Sequence, residues 1–588
     1  MPTLNWIGKE AVVNHHRRVP FHLLKDVPEL ACGDPGSGNL IVQGDNLVAL
    51  KALLPYYAGQ VKCIYIDPPY NTGNEGWIYN DNVTAPEIKK WLGQVVGGEA
   101  EDLSRHDKWL CMMYPRLALL QQFLREDGII IVSIDDFEAY RLRVLLDEIF
   151  KQQNFIAQLV WDKTRKNDAK FFSVGHEYLV VYARSLATLR AAKTVWREPK
   201  PGADAVVKYV GELRNEHGND FAAMEMKLRV WYKNLPKNHP AKKLSRHKHV
   251  DEKGVWRDRD ISWPGGGGPR YDVLHPVTKQ PCKVPERGWG FATIESMNDQ
   301  IAQGLVMFRE DHNQPPFRKS YLGSLDSETI SENDADAEEK EDEILGAQVM
   351  PSVIYKQAQV SVKMLREMFD GQKVFENPKD HEVIMRLIRY VTKPTDLILD
   401  SFAGSGTTGH AVLQLNKEDG GNRKFILVEM KSNIARDITA ERVKRVAQGY
   451  TNAKGEKVEG LGGGFRFCEL GEKMFDESGK IRDTVRFADL ARHVYFTETG
   501  EPLPRERVGK SPLLGITGGG AAVYLLYNGI LKDKTVDGGN VLTNATLTLL
   551  PAHAGPKVIY AAGCRFSRER QKRENITFKQ TPYAIRLQ

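Results

Sequence analysis

Two short motifs, each at the end of a predicted strand, constrain the fold of this 588-residue chain more than any other feature. Asp67-Pro68-Pro69-Tyr70 ends the apolar run at 61–67, and a glycine loop follows the strand-like run at 397–400, 333 residues later. The first run is short, rich in β-branched residues and not alternating, as in a buried strand. We expect one sheet to bring the two motifs together across a long insertion.

The rhythm of the sequence predicts an α/β fold with a mostly parallel sheet. Strand-like and helix-like runs alternate at 40–184 and again at 381–450. Between them lie a basic run, a turn-rich run and an acidic run, which indicate an inserted domain. The predicted divisions are an N-terminal arm (1–40), the first half of the α/β domain (41–190), the insertion (191–365), the second half (366–455) and a small α+β C-terminal domain (456–588).

Composition excludes some classes of protein and leaves others open. A net charge of +6 permits nucleic-acid binding without requiring it. The six cysteines form no CxxC pair, which argues against a zinc site or a disulfide framework, so we expect no metal and a reducing cytoplasm. We find no apolar run long enough for a signal peptide or a membrane span, so we expect no membrane association.

The glycine loop predicts a site for a nucleoside cofactor, although its type stays ambiguous. Gly404-Ser-Gly406-Thr-Thr-Gly409 matches GxGxxG between a strand and a helix, and Glu429 ends the next strand where it could bind ribose hydroxyls. These facts also suit NAD. Asp400, just before the loop, would repel a diphosphate and attract the cation of S-adenosylmethionine, which favours the second cofactor.

The Asp67-Pro68-Pro69-Tyr70 motif predicts chemistry on a flat amine. The two prolines stiffen the turn, so a carboxylate, a backbone carbonyl and an aromatic ring surround one ligand. The amino group of a base is a poor nucleophile because its lone pair is delocalised. Asp67 and the Pro68 carbonyl can each accept one amine hydrogen, and Tyr70 can stack on a base swung out of the duplex.

Several segments resemble the β-group amino-methyltransferases, and more closely the modification subunits of type III restriction–modification systems. In that group the catalytic motif precedes the target-recognition region and the cofactor motif follows it. The resemblance implies a Rossmann-like, S-adenosylmethionine-dependent methyltransferase domain interrupted by a target-recognition domain, acting on N6 of adenine. The segments are LNWIGKE (4–10), QGDNLVALKALLPYYAGQVKCIYIDPPYNTG (43–73), HEYLVVYARS (176–185), FENPKD (375–380) and DSFAGSGTTGHAV (400–412).

The same resemblance assigns roles to site residues. It implies that Asp67, Pro68, Pro69 and Tyr70 are catalytic. The cofactor residues that it implies are Asp45, Asn46, Phe375, Asn377, Pro378, Lys379, Asp400, Phe402, Gly404, Ser405, Gly406, Thr407 and Glu429. Asp380 departs from the proline or threonine that the family often has there, which leaves the contact at that end of FENPKD open.

The segment 161–175 is polar, basic and punctuated by aromatic residues, which indicates a contact with DNA. Lys163, Arg165 and Lys166 suit phosphate contacts, while Trp161 or Phe171 could wedge or stack. The insertion is the predicted reader of sequence in double-stranded DNA. Family analogy adds a homodimer and a possible restriction subunit with helicase and nuclease activity, since this chain has no GxxxxGK[ST] motif.

Four alternatives stay open beside the adenine enzyme. A cytosine-N4 enzyme shares the mechanism, although Asp rather than Ser at position 67 favours adenine by analogy. Glutamine- or RNA-directed amino-methyltransferases usually carry Asn at that position. A catalytically silent DNA-recognition subunit would not need the intact motif. An NAD oxidoreductase would need a general acid near the loop, and we find none in the sequence.

Overall fold

The computed structural model describes residues 4–72, 93, 104–163, 170–322, 347–527, 529–533, 538–582 and 584. These residues form two compact units. One comprises Met1–Thr194 with Ser352–Gln588, and the other is Val195–Pro351, which lies inside the predicted insertion (191–365). Within the described part of the chain, no helix is long and apolar enough to cross a membrane.

A ten-stranded mixed sheet forms the centre of the first unit. In chain order its strands are β1 (His22–Asp26), β2 (Leu40–Gln43), β3 (Val61–Ile66), β4 (Leu124–Ile134), β5 (Phe155–Asp162), β6 (His176–Ala183), β7 (Val353–Tyr355), β8 (Leu397–Asp400), β9 (Lys424–Glu429) and β10 (Arg466–Lys473). Their spatial order is β1-β10-β2-β9-β8-β3-β4-β6-β5-β7. Six of the nine pairings are parallel, and three are antiparallel.

The sheet joins the two motif-bearing strands directly. β3 and β8 are parallel neighbours, with Ile398 opposite Cys63 and Leu399 opposite Ile64. All six residues of β3 are buried, as its continuous apolar run predicted. The prediction that one sheet unites two motifs 333 residues apart is therefore confirmed. Both motifs leave the sheet at the same edge, because parallel strands share a direction.

Helices cover the sheet, and side-chain caps set where several of them begin. Asp45 accepts the Val48 N–H and starts the helix Asn46–Tyr57, while Ser104 forms a capping box for Arg105–Phe123, which continues through Pro115. The other helices of this unit include Lys9–Val13, His15–Arg18, Ala139–Leu146, Leu186–Ala191, Gln359–Met368, His381–Val391, Thr407–Asp419, Ser432–Ile434, Glu441–Gln448, Phe487–Thr499, Asn544–Leu549 and Arg568–Arg573.

The predicted terminal regions are tied to the central sheet more closely than the sequence indicated. β1 comes from the predicted arm (1–40), and β10 comes from the predicted C-terminal domain (456–588); the two strands pair with each other. After β10 the chain builds a second sheet from Leu513–Ile516, Ala522–Leu525, Lys557–Ala561 and Ile576–Gln580. Two small ribbons pair Gly449–Thr451 with Lys457–Glu459 and Val541–Leu542 with Gly563–Cys564.

The unit Val195–Pro351 has its own core and topology. Its helices Ala203–His217 and Phe221–Asn234 bury Val206, Leu213 and Leu228 together with Val255 of a strand. Its four-stranded antiparallel sheet has the spatial order Val306–Met307, Phe317–Tyr321, Gly254–Arg259 and His249–Asp251. The unit also contains the helix Ile294–Ala302 and a two-stranded ribbon that pairs Glu198–Pro199 with Ala347–Gln348. The acidic run at 331–343 lies outside the described residues.

Candidate active site

The catalytic motif is held in a fixed shape where it leaves β3. The indole N–H of Trp109, which is fully buried, donates to the Pro69 carbonyl at 2.7 Å. Asn71 adopts a left-handed φ of 60°, and its buried side-chain amide donates to Glu138 and to the Arg105 carbonyl. The turn is therefore anchored on both sides of Tyr70, which limits how far Asp67 and Tyr70 can move.

Four further charged or polar groups gather around Asp67. Lys379 Nζ lies 3.0 Å from Asp67 Oδ1, 2.8 Å from Glu177 Oε2 and within hydrogen-bond reach of the Tyr70 hydroxyl. Tyr70 in turn donates to Glu177 Oε2 at 2.9 Å. Lys163, just after β5, forms an ion pair with the same Glu177 oxygen. Two ammonium groups therefore balance two carboxylates in one small volume.

Burial and charge act against each other in this cluster. Burial would raise the pKa of Glu177, but Lys163 and Lys379 outweigh it and lower that pKa to about 2. Burial lowers the pKa of Lys163 to about 8, although Glu177 opposes the shift. The pKa of Asp67 is raised by burial and by Glu177 despite its lysine neighbours. Glu177 is thus the firmly ionised carboxylate, and Asp67 is the more basic one.

The position of Trp161 corrects one predicted DNA contact. Its side chain is only 1% exposed, its indole N–H donates to the Lys356 carbonyl at 3.1 Å, and its ring lies 4.6 Å below Lys163 Nζ. A ring this buried is not available to wedge into a duplex, so Trp161 supports the lysines instead. Phe171, the other candidate, is 93% exposed. Arg165 and Lys166 lie outside the described residues.

The glycine loop connects β8 to the helix Thr407–Asp419 in a conformation that needs glycine. Gly404 and Gly406 have φ values of 50° and 77°, in the left-handed region. The Gly404 N–H donates to Glu429 Oε2 at 2.9 Å, which connects the loop to the end of β9. Asp400 is buried and accepts from the Phe402 N–H and the Thr408 hydroxyl.

A buried arginine that the sequence analysis missed holds the loop from behind. Arg442, fully buried, donates from Nη1 to Ser405 Oγ at 2.8 Å and to Thr407 Oγ1 at 2.9 Å. A signal was present in the sequence, because Ile438 and Val446, four residues to either side, lie on the same apolar helix face. A charged residue on such a face usually makes specific hydrogen bonds.

Three further predicted cofactor residues lie at two positions beside the glycine loop. Asp45 and Asn46 follow β2, where both bond to the buried Arg116, and the Asn46 amide also donates to the Ser401 carbonyl at 3.2 Å. Phe375 packs near Gly404, where an added Cβ would lie 3.1 Å from Phe375 Cζ.

The FENPKD segment is split between the loop and the catalytic motif. The Lys379 carbonyl accepts from the Thr407 hydroxyl, whereas its ammonium group lies at Asp67. Pro378 is buried and Asn377 is exposed. Asp380 caps the helix His381–Val391 by accepting the N–H groups of Glu382 and Val383, which gives this departure from the family pattern a structural role.

A cleft runs between the two motifs, and its polar lining suits a nucleoside ligand. It is bordered by both motifs and by the helices Asn46–Tyr57 and Arg105–Phe123, which follow β2 and β3; its lining includes Asn46, Pro69, Arg116, Ser401, Phe402 and Glu429. The Ser401 hydroxyl is buried there and has no hydrogen-bond partner among the described residues. The Glu429 carboxylate can accept hydrogen bonds from ribose hydroxyls, and the unpaired Ser401 hydroxyl can donate or accept one.

Comparison with known proteins decides the family. The model of a DNA methylase family matches residues 61–441, from β3 to beyond the glycine loop. The chain belongs to this family. This methyltransferase is 31% identical over 513 residues to the type III restriction-modification enzyme EcoP15I Mod subunit of Escherichia coli, covering 82% of this chain and 74% of that one. DNA is its substrate and S-adenosylmethionine is its methyl donor, as in that family.

Other relatives agree with this assignment. The StyLTI Mod subunit of Salmonella typhimurium is 30% identical, over 70% of this chain and 57% of its own length. The type II methyltransferase M.KpnI of Klebsiella pneumoniae is 28% identical, over 74% of this chain and 94% of its own. Among solved structures, the cytosine-N4-specific PvuII DNA methyltransferase is 12% identical with a TM-score of 0.31, over 69% of this chain and 86% of that one. That score is too low to bear on which base is methylated.

Cofactor binding by this methyltransferase should release a proton from Asp400 in mildly acidic solution. Burial raises the pKa of Asp400 to about 7, so near pH 6.5 much of the free protein holds a proton there. A nearby cation favours the ionised carboxylate and lowers this pKa. Calorimetry of S-adenosylmethionine binding in buffers of different ionisation enthalpy measures the number of protons released. We expect the wild type to release more protons than Asp400→Asn at pH 6.5, and this difference should decline toward pH 8. Equal proton counts for both proteins at pH 6.5 would contradict this.

Proposed function

We propose that this methyltransferase transfers a methyl group to N6 of an adenine flipped out of double-stranded DNA. The observation that carries the proposal is the adjacency of β3 and β8, which places Asp67 and Tyr70 beside the glycine loop. An acceptor pair for an amine, a stacking ring and a cofactor loop then meet at one edge of the sheet. A purely DNA-recognising subunit has no need of this arrangement.

Asp67 and the Pro68 carbonyl orient the target amine. S-adenosylmethionine, when bound, supplies an electrophilic methyl group. By accepting one amine hydrogen each, the two oxygens draw the nitrogen toward tetrahedral geometry and direct its lone pair into the cleft. The turn anchored by Trp109 and Asn71 keeps this pair of acceptors in place. Asp67, whose pKa burial raises, is also the group placed to take the proton that the amine loses.

The cofactor residues divide between the two ends of the cleft. We assign Glu429 to the ribose hydroxyls, Asp45 and Asn46 to the adenine end, and Asp400 to the cationic methionine end. The loop itself is shaped by Phe402, Gly404, Ser405, Gly406 and Thr407. Its opening is bordered by Phe375, Asn377 and Pro378. Arg116 joins this set because it fixes both Asp45 and Asn46.

We assign target recognition to the compact unit Val195–Pro351. Its strand Gly254–Arg259 places Arg259 opposite Arg318 of a neighbouring strand, a local concentration of positive charge that suits an anionic partner. Arg165 and Lys166 would contact phosphates near the flipped base, whereas Lys163, the third predicted cation, is paired with Glu177. By analogy with type III Mod subunits, the working form would be a homodimer that also serves a restriction subunit.

The test of this function is the identity of the methylated base. Purified protein, labelled S-adenosylmethionine and unmethylated genomic DNA should yield labelled N6-methyladenine after digestion to nucleosides. The alternative, a cytosine-N4 enzyme, uses the same acceptor pair and is separated by this assay alone. Label found only in N4-methylcytosine would overturn the adenine assignment while leaving the mechanism of Asp67 intact.

A further inference from the structure

The ammonium group of Lys379 occupies the place that a bound base needs. Its Nζ lies 3.0 Å from Asp67 Oδ1 and 4.6 Å from the centroid of the Tyr70 ring. The Asp67 carboxylate is the acceptor for the target amine, and the Tyr70 face is its stacking surface. One cation therefore covers both recognition elements of the proposed base site.

We propose that Lys379 is a plug that closes the base site in the absence of DNA. Glu177 is then the positioning residue that binds the Lys379 ammonium group when the base enters and displaces it from Asp67. The proposal rests on the proposed function, because it assumes that an exocyclic amine binds Asp67. It adds a residue, Glu177, that belongs to neither sequence motif, and it moves the side chain of Lys379 from the cofactor set to the base site.

The cation and the target amine cannot share Asp67 productively. Both are hydrogen-bond donors, and a second donor at Oδ1 would weaken the contact that orients the lone pair. The amine nitrogen also gains positive charge as the methyl group is transferred. A lysine ammonium next to it would oppose that charge. Binding and chemistry therefore both require Lys379 to withdraw from Asp67.

The contacts show which way the lysine can go. Lys379 makes a hydrogen bond with Glu177 Oε2 at 2.8 Å, whereas its 3.0 Å contact with Asp67 is an ion pair in which Oδ1 lacks an aligned hydrogen bond. Glu177 Oε1 is buried and has no hydrogen-bond partner among the described residues. A small shift of Nζ toward Oε1 would satisfy this oxygen and clear Asp67 and Tyr70 together.

Lys163 provides a matched comparison inside the same cluster. Lys163 and Lys379 both form an ion pair with Glu177 Oε2. Of these two lysines, only Lys379 also forms an ion pair with Asp67. Removing the Glu177 charge should therefore matter through Lys379 and not through Lys163. A role of Glu177 that is merely structural would make no such distinction between the two lysines.

The experiment is a pair of double-mutant cycles with unmethylated genomic DNA as the probe. Glu177→Gln should raise KM for DNA about tenfold, which corresponds to about 1.4 kcal/mol, with cofactor Kd changed less than about twofold. In the Lys379→Met background the same substitution should raise KM less than about threefold. In the Lys163→Met background it should keep its full effect. Melting temperatures and cofactor Kd establish that each variant is folded.

Two results would overturn the plug. One is an equal rise in KM on adding Glu177→Gln with and without Lys379, which would make Glu177 independent of that lysine. The other is a loss of cofactor affinity in Lys379→Met that accounts for its change in activity, which would return the lysine to the cofactor site. Methylation of cytosine instead of adenine would overturn the proposed function alone, because either amine needs Asp67 free.

Discussion

Asp67→Ala should lower the methyl-transfer rate by about a hundredfold to a thousandfold, the order seen when one preorganised polar contact to a reacting group is removed from an enzyme. Alanine deletes the acceptor that orients the amine and leaves the Pro68 carbonyl alone. Cofactor Kd should change little, because Asp67 makes no described contact with the glycine loop, and Lys379 retains Glu177 as a partner. Single-turnover transfer to unmethylated DNA, measured beside cofactor binding, is the appropriate assay.

Asp67→Asn is the matched control for that substitution. Asparagine keeps one acceptor oxygen in nearly the same place but loses the charge and cannot take a proton. We expect its rate to lie between those of the wild type and the alanine variant. A wild-type rate in Asp67→Ala would contradict the mechanism, and a lost cofactor affinity in both variants would indicate damage to the fold instead.

Gly404→Ala should weaken cofactor binding by at least about tenfold, or about 1.4 kcal/mol. Gly404 has a φ of 50°, where a Cβ adds strain, and the new methyl group would lie 3.1 Å from Phe375 Cζ at the opening of the cleft. Either the loop or Phe375 must move, and the Gly404 N–H to Glu429 hydrogen bond moves with the loop. Equilibrium binding of S-adenosylmethionine measures the effect.

Gly420→Ala separates backbone strain from loss of the site. Gly420 ends the helix that Gly406 begins, its φ is 69°, and an added Cβ there would meet nothing within 4 Å. Its substitution should cost about 1 kcal/mol of folding stability and leave the cofactor Kd within about twofold. If the two alanine variants weaken binding equally, the effect of Gly404 is a loss of stability and not of the site.

The meeting of the two motifs was predictable because both strands are apolar and buried on both faces. β3 and β8 carry that pattern in a few residues, and parallel pairing brings their ends to one edge. The edge strand β1 and its neighbour β10 were not predicted. No residue of β1 is fully buried, and in β10 only Phe467 and Cys468 are, so neither strand shows the continuous apolar run that identifies a central strand.

The residues around the motifs were harder to predict than the motifs themselves. Glu177 is the second residue of β6, and only the antiparallel pairing of β5 with β6, which sets it opposite Trp161, brings it near Lys163 and Asp67. Lys379 was assigned to the cofactor from its neighbours in sequence, yet its long side chain reaches the other motif. Such side-chain reach depends on tertiary structure, which sequence spacing does not encode.

The most direct test of the adenine assignment is sequencing of DNA modification in cells that lack other adenine methyltransferases and express this chain. It reports the base, the modified atom and the recognition sequence in one measurement. We predict N6-methyladenine at one defined sequence in cells with the wild-type protein and none in cells with Asp67→Ala. N4-methylcytosine in place of N6-methyladenine, or N6-methyladenine that persists in the Asp67→Ala cells, would contradict the account.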